Sequence, residues 1–169
     1  YLLLHHGHIK PLFDRPAKVQ GIGPHPHRGF SPVTFVIAGE VHHRDSWGND
    51  QIAAAGDVQW LNAGAGIIHS ERPSQALIDS RGRQEIIQIW VNTPAAFKMV
   101  EPDYQYLADA NFPKFQSDDG AIENKLVVGT YHNRRGKIRT PSELLILWAT
   151  SKSDGEMDYD IPVGFSTCL

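Results

Sequence analysis

Val33-Thr34-Phe35-Val36-Ile37-Ala38-Gly39-Glu40-Val41-His42-His43-Arg44 is the stretch whose reading decides the fold. β-Branched and aromatic residues suit extended backbone, and Gly39-Glu40 divides the run into two short strands. Working outward, Trp47-Gly48-Asn49-Asp50 reads as a hairpin turn and Gly56-Asp57 as another, ahead of Val58-Gln59-Trp60-Leu61. Gly64-Ala65-Gly66 breaks the chain before Ile67-Ile68-His69. Glu85-Ile86-Ile87-Gln88-Ile89-Trp90-Val91 is apolar on both faces for much of its length, the pattern of a strand buried between two layers. Strand patterns recur at Lys125 to Tyr131, Glu143 to Ala149 and Met157 to Ile161. Helical periodicity is scarce. Short strands at this spacing, separated by turn residues, predict an all-β sandwich or barrel.

Thr93 to Phe115 has a different texture, interrupted by Pro94, Pro102 and Pro113. It reads as a surface linker with one helical turn near Ala95-Ala96-Phe97-Lys98. The expected division is a first β-domain over residues 1–115, its linker starting near 93, and the start of a second β-domain over residues 116–169.

The chain has 169 residues, of which 41% are hydrophobic and 21% charged, an ordinary globular composition that argues against disorder. Lys and Arg number 16 against 19 Asp and Glu, a net charge of -3. Such a balance offers no broad electrostatic footprint for nucleic acid or an anionic membrane. No run approaches the ~18 apolar residues needed to span a bilayer. The start lacks the basic segment and cleavage site of a signal peptide, and both ends of the natural protein are expected to extend further. The single cysteine, Cys168, excludes an internal disulfide framework and is read as a buried or inert thiol in a reducing compartment. The expected location is the cytoplasm, or also the nucleus in a eukaryote.

Nine histidines are present, so a lone His-x-His is weak evidence. A pair of pairs is stronger. His25 and His27 are two residues apart, and so are His69 and Glu71. Residues i and i+2 of a strand share a face, so two such strands can aim three imidazoles and one carboxylate at one point. That donor set suits a first-row transition metal, and without thiolates it disfavours a closed structural zinc site. Gly21-Ile22-Gly23-Pro24 and Arg28-Gly29 flank the first pair, and Pro26 within it is tolerable on a barrel rim or edge strand. His5, His6 and His8 fall in a frayed leading segment and are not assigned to the site. Of the neighbours His42 and His43 at most one can face inward, and neither is assigned. His132, beside the basic cluster Arg134, Arg135, Lys137 and Arg139, reads as a solvated hairpin tip.

These residues carry a family resemblance. His25-Pro26-His27-Arg28-Gly29-Phe30, Gly39 to Ser46, Gly56-Asp57-Val58-Gln59-Trp60, Ala63 to Glu71 and Gln88 to Asn92 with Pro94 together resemble pirin and pirin-like proteins, a branch of the cupin superfamily. The likeness covers roughly residues 1–131. It implies a bicupin of two stacked β-barrels, with the second barrel truncated here. It also implies one divalent metal, iron(II), held by His25, His27, His69 and Glu71. Departures are Ser31-Pro32 where Glu-Thr is common, no proline at Asn62 or Gly64, and His5 where an aspartate commonly precedes His6.

Two functions follow from the resemblance. One is quercetin 2,3-dioxygenase activity, in which dioxygen opens a flavonol ring and carbon monoxide is released. Glu71 is then the catalytic base that takes the 3-hydroxyl proton, with Phe30, Phe35 and Trp60 as candidates for an apolar wall. The other is a redox-responsive metal protein that regulates transcription factors or enzymes through protein contacts. A wide apolar pocket at the metal favours the first and a plugged one the second.

Overall fold

The computed structural model describes residues 1–152 and 154–168. It is all-β and built from antiparallel sheets. The strands are β1 Leu3–Ile9, β2 Ile22–His27, β3 Phe30–Ala38, β4 Glu40–Asp45, β5 Asp50–Ala54, β6 Val58–Asn62 and β7 Ile67–Arg72. The helix α1 spans Gln75–Asp79 and has the Ser74 hydroxyl accepting from the Leu77 N–H as its N-cap. The remaining strands are β8 Gln84–Asn92, β9 Asp103–Leu107, β10 Lys114–Gln116, β11 Ile122–Val128, β12 Thr130–Tyr131, β13 Arg134–Arg135 and β14 Ile146–Ser151.

A five-stranded sheet, in the order β1-β8-β3-β6-β9, faces a four-stranded sheet in the order β2-β7-β4-β5. A three-stranded sheet, β10-β11-β14, covers the outer face of the first. The alternation of β3 serves both interfaces. Val33 and Phe35 point outward and join Val58, Trp60, Val127, Val128 and Ile138 in the main apolar core. Val36 points the other way and meets Val41, Ala53 and Ile86 between the two large sheets. β8, apolar on both faces, lies between β1 and β3 as its pattern required.

Several expectations need correction. Residues 93–115 are not a linker. The 3₁₀ turn is present at Ala95–Phe97, but β9 adds an edge to the large sheet beside β6, and Leu107 and Phe112 enter the main core. Proline-bounded segments can still supply an edge strand, where an unpaired N–H side does no harm. Met157 to Ile161 forms no strand. Met157 Sδ and the Tyr159 hydroxyl instead meet the side chain of Asn124. The leading segment is not frayed, because β1 pairs with β8 along Leu3–Ile9. Cys168 is exposed. Among the described residues no helix is long and apolar enough to cross a membrane.

Gly21 shows how tightly the site strands are tied. It has φ +69°, and a Cβ there would lie 2.6 Å from the Glu71 carbonyl oxygen and 2.8 Å from the Arg72 Cα. Both the left-handed backbone and the contact penalise a side chain. Gly21→Ala is expected to destabilise the fold by about 2 kcal/mol, read as a lowered urea midpoint at unchanged m-value.

Candidate metal centre

The centre is assembled by the pairing of β2 with β7. The register sets His25 directly opposite His69, after an irregularity between Ile22 and His25 that re-phases β2. β2 is an edge strand, so Pro26 removes no ladder bond that an inner strand would need. His25 and His27 share a face, as their spacing predicts. One ring nitrogen from each of His25, His27 and His69 lies within 4.8 Å of the other two. His25 Nε2 and His27 Nε2 are 3.0 Å apart. Two nitrogens bound at about 2.1 Å to one ion, at a right angle, sit ~3 Å apart.

The tautomers suit a cation. His25 Nδ1–H donates to the Gly23 carbonyl at 2.9 Å, which leaves Nε2 as the lone-pair nitrogen. A longer chain acts on His69. Asp45 Oδ2 accepts from His43 Nε2–H at 2.9 Å, and His43 Nδ1 is 3.3 Å from His69 Nδ1. With His43 Nε2–H given to Asp45 and His43 Nδ1 as the acceptor, His69 Nδ1 donates and His69 Nε2 carries the lone pair. That Nε2 is buried and, among the described residues, has no hydrogen-bond partner. A buried orphan of this kind is costly in the absence of an ion, and a ligating imidazole fixed by a carboxylate chain is a common second layer of metal sites. Three converging imidazoles, one with a buried nitrogen lacking a partner among the described residues, fit a divalent transition metal.

Electrostatics agree. Burial, with the His25 charge as a second cause, lowers the His27 pKa to about 4. Burial and the neighbouring His25, His43 and His27 lower that of His69 to about 3, opposed only by Asp45. Both rings are therefore neutral, as ligands must be, at ordinary pH. Burial works against the Asp45 charge, but hydrogen bonds from His43, Asn49 and the Asn49 and Trp47 N–H groups hold its pKa below the usual carboxylate range.

Glu71 is placed differently from the three imidazoles. It is buried, opposite His43 in the β4–β7 register, and shares a cavity of about 10 Å³ with His69, His43 and Tyr104. Its carboxylate does not come within 4.8 Å of all three imidazole donors. Instead Oε1 accepts from the Thr34 hydroxyl at 3.0 Å, and Gln88 Nε2 donates to both oxygens at 3.0 and 3.1 Å. Gln88 is itself fixed by Trp90 Nε1–H, which donates to its Oε1 at 3.0 Å.

The apolar wall also differs from expectation. Phe35 and Trp60 belong to the outer core, on the far side of the large sheet. Phe30 does lie at the centre, its ring 5.1 Å from that of His27 and 4.6 Å from that of Trp90. Trp90, 5.3 Å from His27, is the aromatic that strand alternation alone did not single out. His43 was also missed. It is the inward member of the His42-His43 pair, stacked on Tyr104 at 4.2 Å, whereas His42 faces out and pairs with Asp50. Its signal was the spacing to Asp45, the same i, i+2 rule that exposed His25 and His27. Burial and nearby carboxylates, Asp45 foremost, hold the Tyr104 hydroxyl protonated.

Comparison with known proteins agrees with this architecture. The Pirin family model matches residues 2–91. The chain belongs to the pirin family. It is 40% identical over 149 residues to "Putative quercetin 2,3-dioxygenase PA2418" of Pseudomonas aeruginosa, covering 88% of this chain and 52% of that protein. It is 34% identical over 142 residues to Pirin-like protein 2 of Arabidopsis thaliana, covering 84% and 42% respectively. The crystal structure of a quercetin 2,3-dioxygenase from Acinetobacter baumannii superposes with a TM-score of 0.78 at 36% identity, over 86% of this chain and 50% of that one. The bacterial pirin YhhW of Escherichia coli, in complex with nickel(II), gives 0.53 at 27% identity, over 75% and 55%. The pirin chain described here thus spans about half the length of the relatives it matches, with the all-β cupin architecture of the family.

Two outcomes are expected. His27 and His69 bind fewer protons folded than unfolded, so their contribution to stability is full above about pH 6.5 and is lost as pH falls toward about 4 and 3. The urea midpoint of metal-free protein should fall across that window, and more shallowly in His69→Asn. Asp45→Asn, which disturbs the chain orienting His69, should weaken metal affinity by about 10- to 100-fold, measured by competition with a chromophoric chelator.

Proposed function

We propose that this chain supplies the metal-binding half of an iron(II)-dependent dioxygenase acting on quercetin-type flavonols. The observation that carries the reading is the convergence of the three imidazoles of His25, His27 and His69, with the His69 Nε2 buried and without a hydrogen-bond partner among the described residues. The names of two relatives, one solved structurally, supply the substrate class. A metal held by His25, His27 and His69 would supply Lewis acidity toward the flavonol 3-hydroxyl and a redox partner for dioxygen.

The chain's own groups do the rest. Glu71 takes the 3-hydroxyl proton, relayed from the mouth by the one water its cavity can hold. Thr34 and Gln88 orient its carboxylate, and the Trp90 indole keeps Gln88 from turning. The inner cavity beside Glu71 and His69 has room for one ion or one water, not for a three-ring flavonol. The substrate must therefore lie at the mouth, where His25 is half-buried and the Phe30–Trp90 pair offers an aromatic edge.

The same small inner cavity is the observation that favours the second reading, a redox-responsive metal protein that acts through protein partners. One experiment separates them. Chain loaded anaerobically with Fe²⁺ is mixed with quercetin under air, and the flavonol absorbance is followed. Decay that disappears on metal chelation supports the dioxygenase. In Glu71→Gln the rate should fall at least ~100-fold while iron content, by elemental analysis, is retained. Metal-loaded protein that leaves quercetin intact counts against the enzyme. Unchanged turnover in Glu71→Gln would falsify the base assignment.

A further inference from the structure

A second set of donors converges outside the central cluster. β1 is the edge of the five-stranded sheet, and its register on β8 sets His8 opposite Glu85 and His6 opposite Ile87. His6 and His8, two residues apart, share one face of β1, and Glu85 emerges on that same face. His6 Nε2 is 3.0 Å and His8 Nε2 3.3 Å from a single atom, Glu85 Oε1. The three donor atoms all lie within 4.8 Å of one another. The two imidazoles are tilted by 52° with centroids 4.6 Å apart, so they are splayed toward the carboxylate and not stacked.

We propose that His6, His8 and Glu85 form a second, surface metal site that takes a borderline divalent cation of the zinc and nickel type. Donors about 2.0–2.1 Å from one ion stand ~3–3.5 Å apart, and the two His–Glu separations fall in that interval. Two imidazoles and one carboxylate are a donor set that such ions accept, and calcium or magnesium would prefer oxygen alone. The ladder provides rigidity. Glu85 stands on an inner strand flanked by β1 and β3 with its side chain largely covered, whereas the side chains of His6 and His8 are 47% and 61% exposed. The protein therefore covers one side of the ion and water completes the other.

The surface site is independent of the central one. Glu85 and Ile87 lie on the same face of β8, and Ile87 pairs with the outward Phe35. Gln88, which holds Glu71, projects into the barrel from the opposite face. The two donor sets thus sit on opposite sides of one sheet and share no residue.

The test is equilibrium dialysis of the untagged, chelator-stripped chain against Zn²⁺ near neutral pH, with bound metal counted by elemental analysis. The double variant His6→Ala/His8→Ala should bind one ion fewer than the wild type. The variant His25→Ala/His27→Ala should retain the ion that the first loses, so failure of the central reading is separately visible. Glu85→Gln keeps both imidazoles and the fold of the sheet, and should weaken the surface ion by about tenfold or more. A His6→Ala/His8→Ala protein that holds as much zinc as the wild type, or unchanged affinity in Glu85→Gln, overturns the proposal.

Discussion

The central cluster depends on one antiparallel register, that of β2 on β7. Cross-strand neighbours have side chains a few ångströms apart, and here the neighbours are His25 and His69. The i, i+2 relation then adds His27 on the same face. A slip of β2 by one residue would turn His25 and His27 to the other face of the sheet, away from His69. The register is pinned by features with no chemistry of their own. Gly21 allows the backbone to pass against Glu71 and Arg72, and the irregularity before His25 re-phases the strand.

Around this cluster the interior between the two large sheets is unusually polar. Asp45, His43 and His69 form one hydrogen-bonded chain, and Trp90, Gln88 and Glu71 form another, with Thr34 joining the second. Buried polar groups are tolerable when their partners are in place. The first chain ends on the His69 Nε2, which has no hydrogen-bond partner among the described residues, and the second on the Glu71 carboxylate. Apolar stabilisation is displaced elsewhere. The main core lies on the outer face of the five-stranded sheet, where Trp60, Phe35 and Val33 meet the β11–β14 layer, while Val36, Val41, Ala53 and Ile86, and separately Leu61, Ala63 and Ile67, form smaller clusters inside. This division lets the inner face carry chemistry while the outer face carries the cohesion of the fold.

Much was legible from local pattern. Period-two alternation and turn residues located β3 to β8, and the spacing of His25, His27 and His69 singled out the imidazoles that meet. These depend on the parity of a strand, which is a property of neighbouring residues. Residues 93–115 misled because three prolines mask a strand, and an edge strand is recognised by the partner it pairs with. Met157 to Ile161 misled in the opposite sense, since an alternating pattern does not create a partner strand. His43 and Trp90 went unassigned for a related reason. Parity says that one of two adjacent histidines faces inward, but not which one.

The sequence by itself determined that the chain is all-β and that His25 with His27, and His69 with Glu71, could each present a pair of donors on one face of a strand, because side-chain direction in a strand follows from counting residues. Only the tertiary structure decided that Asp45 reaches His69 through His43, that Glu71 is held by Thr34 and Gln88, and that His6 and His8 close on Glu85. Those contacts join strands separated by long stretches of chain. Their geometry is set by sheet order and register, which no local count of residues contains.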